Sequence, residues 1–308
     1  MQCIKIILGV GGNKMKNYPI RATFIDEISY DIPSQNWTDE QWAKDFDNMK
    51  EVGIDTVVVM RSCFYDKCLY PSKVFPTFKK ENEDFLYLIL NEAEKRNMSA
   101  YIGLYCSDLC WHDGDYEHEI EKDKIFVEEA LSRYGHFKSF KGWYIPQETG
   151  ANSYNISHLM REAGKLCKEK SPDKKVLISP FFPSYMTPER FAKEWDNIWN
   201  ECGKYIDICA FQDGTATLGN YSSWLSAIKG VAKKHGISLW ANVETFERDV
   251  RNMFFPIHFE VLRKKIEIAE EFVEGMITFE FSHFLSPQSI FPSARNLNNL
   301  YKNYYGKK

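Results

Sequence analysis

Short apolar runs alternate with amphipathic segments along most of this 308-residue chain. Eight of the runs are compact and apolar throughout, which is typical of strands buried on both faces of a parallel sheet. They cover residues 21–28, 56–61, 100–105, 142–147, 176–179, 206–211, 238–244 and 276–281. Between them, apolar residues recur every three or four positions, which predicts helices with one buried face.

Two of the predicted helices have clear start signals. Thr38 is followed three positions later by Gln41, which is a capping-box arrangement. Thr187 precedes Pro188, so that a capping residue comes directly before a proline at the first helical position. The other helical patterns are centred on residues 85–93, 120–132, 157–170, 223–234, 259–272 and 294–304.

Eight strand–helix units without a break in composition predict the α/β fold class and a closed (β/α)8 barrel forming a single domain over residues 20–308. The alternative is an open, doubly wound sheet in two halves. It is disfavoured because the first strand leads into IDEISYDIP rather than a glycine-rich phosphate-binding turn. Residues 1–19 are predicted to form an N-terminal extension, and a disordered leader is one interpretation of it.

Charge and composition exclude several partners. The net charge is −4 and acidic and basic residues are interspersed, so neither nucleic acid nor an anionic membrane is an expected partner. No segment approaches the ~18 apolar residues of a membrane span. The apolar run at residues 6–10 is shorter than the core of a signal peptide. A cytoplasmic location is therefore expected, with secretion of a differently started precursor left open.

The 8 cysteines have irregular spacings, without a CxxC pair or a zinc-ribbon pattern. They are predicted to be reduced thiols in a reducing compartment. Two histidines and four carboxylates lie within HDGDYEHE at residues 112–119, but their spacing fits no known zinc site, and the stretch leads directly into a predicted helix. No metal and no cofactor are predicted.

Polar side chains follow most of the apolar runs at their C-terminal ends, where (β/α)8 enzymes have their active sites. Polar residues placed at random on the surface would not be concentrated at one end of each strand. Two further aromatic residues, Trp111 and Tyr185, lie in loops after the third and fifth strands and suit ring stacking. The strand-end candidates are Asp26, Glu27, Arg61, Tyr105, Gln147, Glu148, Gln212, Asp213, Asn242, Glu244, Glu280 and His283.

Two of these carboxylates form a candidate catalytic pair. Strands four and seven lie on opposite sides of an eight-stranded barrel, so Glu148 and Glu244 would face each other across its mouth. Hydrolysis of a glycosidic bond needs two carboxyl groups that flank the bond. Glu280 ends the neighbouring strand eight, within FEFSHF, and remains an alternative to Glu244.

The motifs YIPQE (144–148) and WANVE (240–244) resemble clan A, the large clan of retaining (β/α)8 glycoside hydrolases. The resemblance implies that Glu148 is the acid/base and Glu244 the nucleophile. The segment from ATFIDEIS to NWTDEQWAKDFDNMKEVGIDTVVVMR, within residues 22–61, is similar to a family of glycosidase-like barrels that carries only a domain-of-unknown-function label. Gln147 departs from the clan, much of which has an asparagine there that bonds the sugar 2-hydroxyl.

The sequence thus predicts a glycoside hydrolase with a carbohydrate as its partner. The catalytic roles are assigned only by resemblance. The remaining strand-end residues, with Trp111 and Tyr185, are predicted to bind the substrate. Trp143 and Trp240 lie deep in their strands and are predicted to pack in the core. Two alternatives stay open: a carbohydrate-binding barrel without turnover, and a transglycosylase or lyase that uses the same carboxylates.

Overall fold

The computed structural model describes residues 18–306 except 31, 33, 79–82, 108–111 and 152. Eight parallel strands close into a barrel, and each pairs with its neighbours in the chain while the last pairs with the first. This confirms the predicted (β/α)8 barrel and rules out the open sheet. The strands are β1 Ala22–Ile25, β2 Thr56–Val59, β3 Ser99–Gly103, β4 Phe140–Ile145, β5 Lys175–Ile178, β6 Ile208–Gln212, β7 Ser238–Asn242 and β8 Gly275–Thr278.

In the described part of the chain, eight longer helices surround the barrel. Both predicted start signals are confirmed. Thr38 and Gln41 form the reciprocal capping box, and the Thr187 hydroxyl accepts a hydrogen bond from the backbone N–H of Arg190. A short helix, Phe281–Phe284, follows β8. The longer helices are α1 Asp39–Glu51, α2 Phe85–Lys95, α3 Tyr116–Tyr134, α4 Ile156–Lys170, α5 Pro188–Cys202, α6 Tyr221–His235, α7 Phe259–Ala269 and α8 Pro292–Tyr305.

Alternate side chains of each strand pack on opposite sides of the barrel wall. On β4, the Trp143 ring packs outward against Phe140, and its indole N–H donates to the Ser171 hydroxyl at 2.8 Å. Tyr144 points inward, where its ring contacts Phe24 of β1. Trp240 also packs in the barrel interior. The core roles predicted for Trp143 and Trp240 are therefore confirmed.

Two small sheets extend the walls at the C-terminal end of the barrel. After β2, the strand Cys63–Phe64 pairs with Lys67–Cys68 and, on its other side, with Tyr105–Cys106. After β7, Phe246–Arg248 and Phe254–Pro256 form an antiparallel hairpin. In the part of the chain that the structure describes, no helix is long and apolar enough to cross a membrane.

The prediction of reduced thiols is wrong for two cysteines, because Cys63 and Cys68 form a disulfide. The two residues lie directly opposite each other in the antiparallel pair after β2, with their Cα atoms 4.0 Å apart. A spacing of five residues does not identify this pairing until the hairpin is known. Cys106, Cys167, Cys202 and Cys209 are free and buried, while Cys3 and Cys110 lie outside the described residues.

The disulfide leads to a direct chemical test. The protein is purified without reductant and digested in the presence of an alkylating agent. Cys63 and Cys68 are then expected to be joined by their disulfide, and neither sulfur atom should carry the alkyl group. Cys167 and Cys209 provide the internal control, since they should be alkylated once the protein is denatured. Alkylation of Cys63 and Cys68 to the same extent as this control pair would contradict the disulfide.

Candidate active site

A cavity opens at the C-terminal end of the barrel, where the strand-end residues were expected to meet; its volume is about 490 Å³ when the space open to solvent is included. Glu148 and Glu244 both line it, from the ends of β4 and β7. A cleft on the side of β6 and β7 shares both glutamates and extends to Lys265 of α7. The predicted residues that line the cavity are Asp26, Arg61, Glu148, Gln212, Asn242 and Glu244.

Glu148 is held by two neighbours. The Gln212 amide N–H donates to Glu148 Oε1 at 3.2 Å and also to the Ser179 carbonyl oxygen at 2.7 Å. Arg61 Nη2 lies 3.8 Å from Glu148 Oε2. The Glu148 side chain is nevertheless 38% exposed. Glu148 therefore has a fixed orientation and an open face toward the cavity, which are the properties that a proton donor to a bound ligand needs.

Arg61 is held in turn by β1. Its Nη1 donates to Asp26 Oδ2 at 3.1 Å and to the Ser29 hydroxyl, while its guanidinium lies over the Phe64 ring, 5.1 Å from the centroid. The other Asp26 oxygen accepts from the backbone N–H of Ser29 at 3.2 Å. Asp26 and Arg61 thus form a buried ion pair that fixes a positive charge beside Glu148.

Glu244 has different surroundings. It is partly buried, and among the described residues no group donates a hydrogen bond to its carboxylate. Its backbone N–H donates to Asp213 Oδ1 at 3.4 Å, and the same oxygen accepts from Lys265 Nζ at 3.0 Å. Burial, and then the negative charge of Asp213, raise the pKa of Glu244 above its ordinary value of 4.5, although Lys265 opposes the shift.

The Glu244 carboxylate lies against the backbone of Gly214 in the loop after β6. A Cβ atom at residue 214 would lie 2.8 Å from both carboxylate oxygens of Glu244. That distance is shorter than a contact allows, so a larger residue at 214 would displace the glutamate. In the sequence this contact is visible only as a glycine directly after Gln212 and Asp213, and it was not predicted.

Several polar atoms near the two glutamates are buried without a hydrogen-bond partner among the described residues. They include the side-chain oxygen of Asn242 and Asp213 Oδ2. The Asn242 amide N–H donates to the Ser179 hydroxyl at 3.2 Å, and Asn242 lines the cavity. An unpartnered buried acceptor is costly unless a ligand or water bonds to it. Asn242 is therefore well placed to accept a hydrogen bond from a hydroxyl group.

The cavity also has an apolar lining that strand-end reasoning missed. Arg248, on the hairpin after β7, stacks over Phe254 with its guanidinium carbon 4.4 Å from the ring centroid. Tyr144 comes from inside β4, and burial together with the charge of Glu148 raises its pKa well above 10.0. Tyr144 was missed because it precedes the end of β4, and Arg248 and Phe254 because they belong to the hairpin. The others are Phe24, Ile32, Met60, Phe246 and Phe279.

Several predicted substrate-binding residues lie outside the cavity. Gln147 is buried and its amide N–H donates to Glu119 Oε2 at 2.8 Å and to the Tyr105 carbonyl oxygen at 3.1 Å. It joins β4 to α3, instead of facing a sugar. Glu27 is buried too and accepts hydrogen bonds from the Ser34 hydroxyl and the Gln35 backbone. Tyr105 lines a separate cleft. Tyr185 is exposed, and Trp111 lies outside the described residues.

Glu280 and His283 form a buried pair below the cavity. The His283 ring nitrogen Nδ1 is hydrogen-bonded to Glu280 Oε1, and Glu280 Oε2 accepts from the backbone N–H of Asp26 at 2.8 Å. Both side chains are fully buried. With both carboxylate oxygens bound in this way, Glu280 holds the end of β1 in place. Glu280 does not line the cavity, whereas Glu244 does.

The acidic stretch before α3 has structural partners. Asp115 caps α3 by accepting from the backbone N–H of His118, and Glu119 accepts from the backbone N–H of Ser107. Among the described residues, no group of three or more histidines, cysteines or acidic residues is arranged to hold a metal ion.

Comparisons with known proteins agree with this architecture. A family model described as a domain of unknown function, DUF4434, matches residues 20–291. The chain belongs to this family. A protein from Bacteroides thetaiotaomicron VPI-5482, described as a "putative alpha-L-fucosidase", is similar over 99% of this chain and 100% of its own, with 36% identity and a TM-score of 0.89. None of the curated proteins matches this DUF4434 chain.

More distant solved structures share the barrel. Xylanase 10B from Thermotoga maritima matches with 12% identity and a TM-score of 0.59, covering 94% of this chain and 97% of that one. The intracellular xylanase TsXylA from Thermoanaerobacterium saccharolyticum matches with 13% identity and a TM-score of 0.52, covering 85% of each chain. At these identities the similarity shows the fold alone. The DUF4434 chain thus has a glycosidase-like (β/α)8 barrel.

Proposed function

We propose that this DUF4434 protein is a glycoside hydrolase in which Glu148 and Glu244 form the catalytic pair. The observation that carries the proposal is that the two carboxylates, from opposite sides of the barrel, line one cavity. A glycosidic bond bound there would lie between two carboxyl groups, as its hydrolysis requires. The fold shared with xylanases, and the name given to the Bacteroides thetaiotaomicron relative, add support.

The mechanism that we propose is retaining. Glu148 donates its proton to the oxygen of the leaving group while a Glu244 oxygen bonds to the anomeric carbon and the glycosidic C–O bond breaks. A water molecule then gives a proton to Glu148 and its hydroxyl to the anomeric carbon, which releases Glu244. The Gln212 hydrogen bond orients Glu148 for both proton transfers. Asn242 and Arg248 are placed to contact the sugar hydroxyls.

One observation favours the reversed roles as a second candidate. The pKa of Glu244 is raised, so a protonated Glu244 could serve as the acid. Under the roles that we propose, Glu244 must lose its proton before it attacks. kcat/KM should then rise with pH, and the acidic limb should lie well above 4.5. If Glu244 is the acid, kcat/KM should instead fall as pH rises through the same range.

The pH dependence of kcat/KM should be compared between two proteins. An aryl glycoside that the wild-type protein cleaves is measured with the wild-type protein and with Asp213→Asn. Because the charge of Asp213 raises the pKa of Glu244, the substitution should move the limb that reports Glu244 toward lower pH. Movement of the rising limb supports Glu244 as nucleophile. Movement of the falling limb supports the reversed roles.

The experiment that tests the function itself is a substrate screen. The wild-type protein is incubated with aryl glycosides of both anomeric configurations, beginning with the α-L-fucoside because of the Bacteroides thetaiotaomicron relative, and with oligosaccharides. We expect the wild-type protein to release the aryl group or shorter saccharides, and we expect this release to be lost when Glu148 or Glu244 is replaced. Saccharide binding without cleavage would instead favour a carbohydrate-binding barrel, and unsaturated or transferred products would favour a lyase or a transglycosylase.

A further inference from the structure

A second cleft lies beside the cavity, over the ends of β1, β2 and β3. Its volume is about 950 Å³ when the space open to solvent is included, against about 490 Å³ for the cavity on the same basis. Tyr30, Phe64 and Tyr65 supply most of its aromatic surface, and Lys67 and His118 lie at its polar edge. Neither the family description nor the name of any relative assigns a role to this cleft.

The three rings form one continuous surface, which we call the aromatic shelf. The ring centroids of Tyr30 and Phe64 are 5.9 Å apart with nearly parallel planes, and those of Phe64 and Tyr65 are 4.6 Å apart. Tyr30 is 74% exposed and Tyr65 is 36% exposed, whereas Phe64 is buried beneath them. Large aromatic rings clustered at the surface are typical of binding sites.

The part of the shelf formed by Phe64 and Tyr65 has a fixed backbone. Phe64 lies in a three-stranded sheet, and the Cys63–Cys68 disulfide joins the two arms of the hairpin whose turn contains Tyr65. Tyr65 has a φ of 55°, in the left-handed region, and its backbone N–H donates to the Cys106 carbonyl oxygen at 3.0 Å. Rings that are fixed before a ligand binds lose little conformational entropy when it does.

Arg61 connects the shelf to the cavity. One face of its guanidinium lies over Phe64, and Nη2 is 3.8 Å from Glu148. The cleft on the opposite side of the cavity, toward Lys265, lies beside Glu244. The two clefts thus lie on different sides of the cavity, and the shelf is on the side of Glu148, with Arg61 between them.

We propose that the aromatic shelf binds a sugar ring on the leaving-group side of the bond that is cleaved. The proposal rests on the proposed function, because Glu148 as proton donor identifies that side. The apolar C–H face of a pyranose would stack on Tyr30 and Tyr65, while Lys67 and His118 would bond its hydroxyls. The substrate class that follows is an oligo- or polysaccharide that extends beyond the bond at both ends, rather than a glycoside with a small leaving group.

The test measures saccharide binding directly. The inactive variant Glu148→Gln is run in native gels that contain arabinoxylan, xyloglucan, mixed-linkage β-glucan or galactan. At least one polysaccharide should retard it, and adding Tyr30→Ala and Tyr65→Ala should weaken the apparent affinity by about tenfold. Tyr87→Ala is the matched control, because Tyr87 is a 48% exposed tyrosine on α2 that lines none of the clefts described above. It should bind like the parent variant.

Two results would overturn the proposal that the shelf binds a saccharide. One is equal retardation of the proteins with and without Tyr30 and Tyr65, and the other is no retardation of the protein by any of the four polysaccharides. Thermal unfolding of each variant shows whether a loss of binding reflects a loss of folding. The proposed function is tested separately by hydrolysis of aryl glycosides. Cleavage of a glycoside without binding that depends on the shelf would contradict only the proposed role of the shelf. Binding that depends on the shelf, without any hydrolysis, would contradict only the proposed enzymatic function.

Discussion

Glu244→Gln is expected to lower kcat by about 10⁴-fold or more on any glycoside that the wild-type protein cleaves, because an amide cannot form the glycosyl-enzyme. The substitution preserves the size of the side chain, so its fit against Gly214 should be retained. It also removes a carboxylate whose pKa is raised by burial, so the folded state should not lose stability at neutral pH. The expected loss is therefore in the chemical step, with KM changed little.

The measurement is kcat and KM on one aryl glycoside, together with thermal unfolding. Glu128→Gln is the control, because Glu128 is an exposed glutamate on α3 with a single surface ion pair to Lys170. That variant should behave like the wild-type protein. Retention of more than a tenth of the wild-type kcat by Glu244→Gln would contradict a role for Glu244 as nucleophile.

Glu148→Gln is expected to lower kcat/KM by about 10²–10⁴-fold on substrates with a sugar leaving group, since the leaving oxygen then receives no proton. A dinitrophenyl leaving group departs as a stable anion without a proton. The step in which the glycosyl-enzyme forms should therefore be much less affected for a dinitrophenyl glycoside. In that case hydrolysis of the glycosyl-enzyme becomes slow, because Glu148 is also the base that activates water.

A burst of dinitrophenol followed by slow turnover is the observable consequence of this difference. Stopped-flow absorbance measures the burst, and its amplitude should approach one equivalent of enzyme. Gln212→Ala provides a graded comparison, because it removes the hydrogen bond that orients Glu148 but leaves the carboxylate in place. An equal loss on sugar and dinitrophenyl leaving groups, without a burst, would argue against Glu148 as the acid/base.

The barrel could be predicted from the sequence because each of its signals is local. Strands buried on both faces are apolar throughout, and the helix starts at Thr38 and Thr187 carry capping residues that act within one turn. Closure follows from eight units in regular alternation. The hairpin after β2 was not predicted, since Cys63–Phe64 and Lys67–Cys68 are two residues each, too short to show a period.

The site was predicted in part, because a strand end fixes where a side chain starts and not where it points. Glu148 and its neighbour Gln147 point in opposite directions, as successive residues in an extended segment do, so only Glu148 faces the cavity. Glu280 follows the same strand-end pattern as Glu244, but its carboxylate is bound by His283 and the backbone of Asp26. Only contacts between distant segments distinguish these cases.

The assignment of Glu244 as nucleophile and Glu148 as acid/base can be tested by trapping the glycosyl-enzyme. A 2-deoxy-2-fluoro glycoside of the sugar that the protein cleaves, with a dinitrophenyl leaving group, is incubated with the wild-type protein and with Glu244→Gln, and peptides are mapped by mass spectrometry. One fluoroglycosyl group is expected on Glu244 in the wild-type protein, and none in the variant. A label on Glu148, or steady turnover of the parent substrate without any trapped adduct, would contradict it.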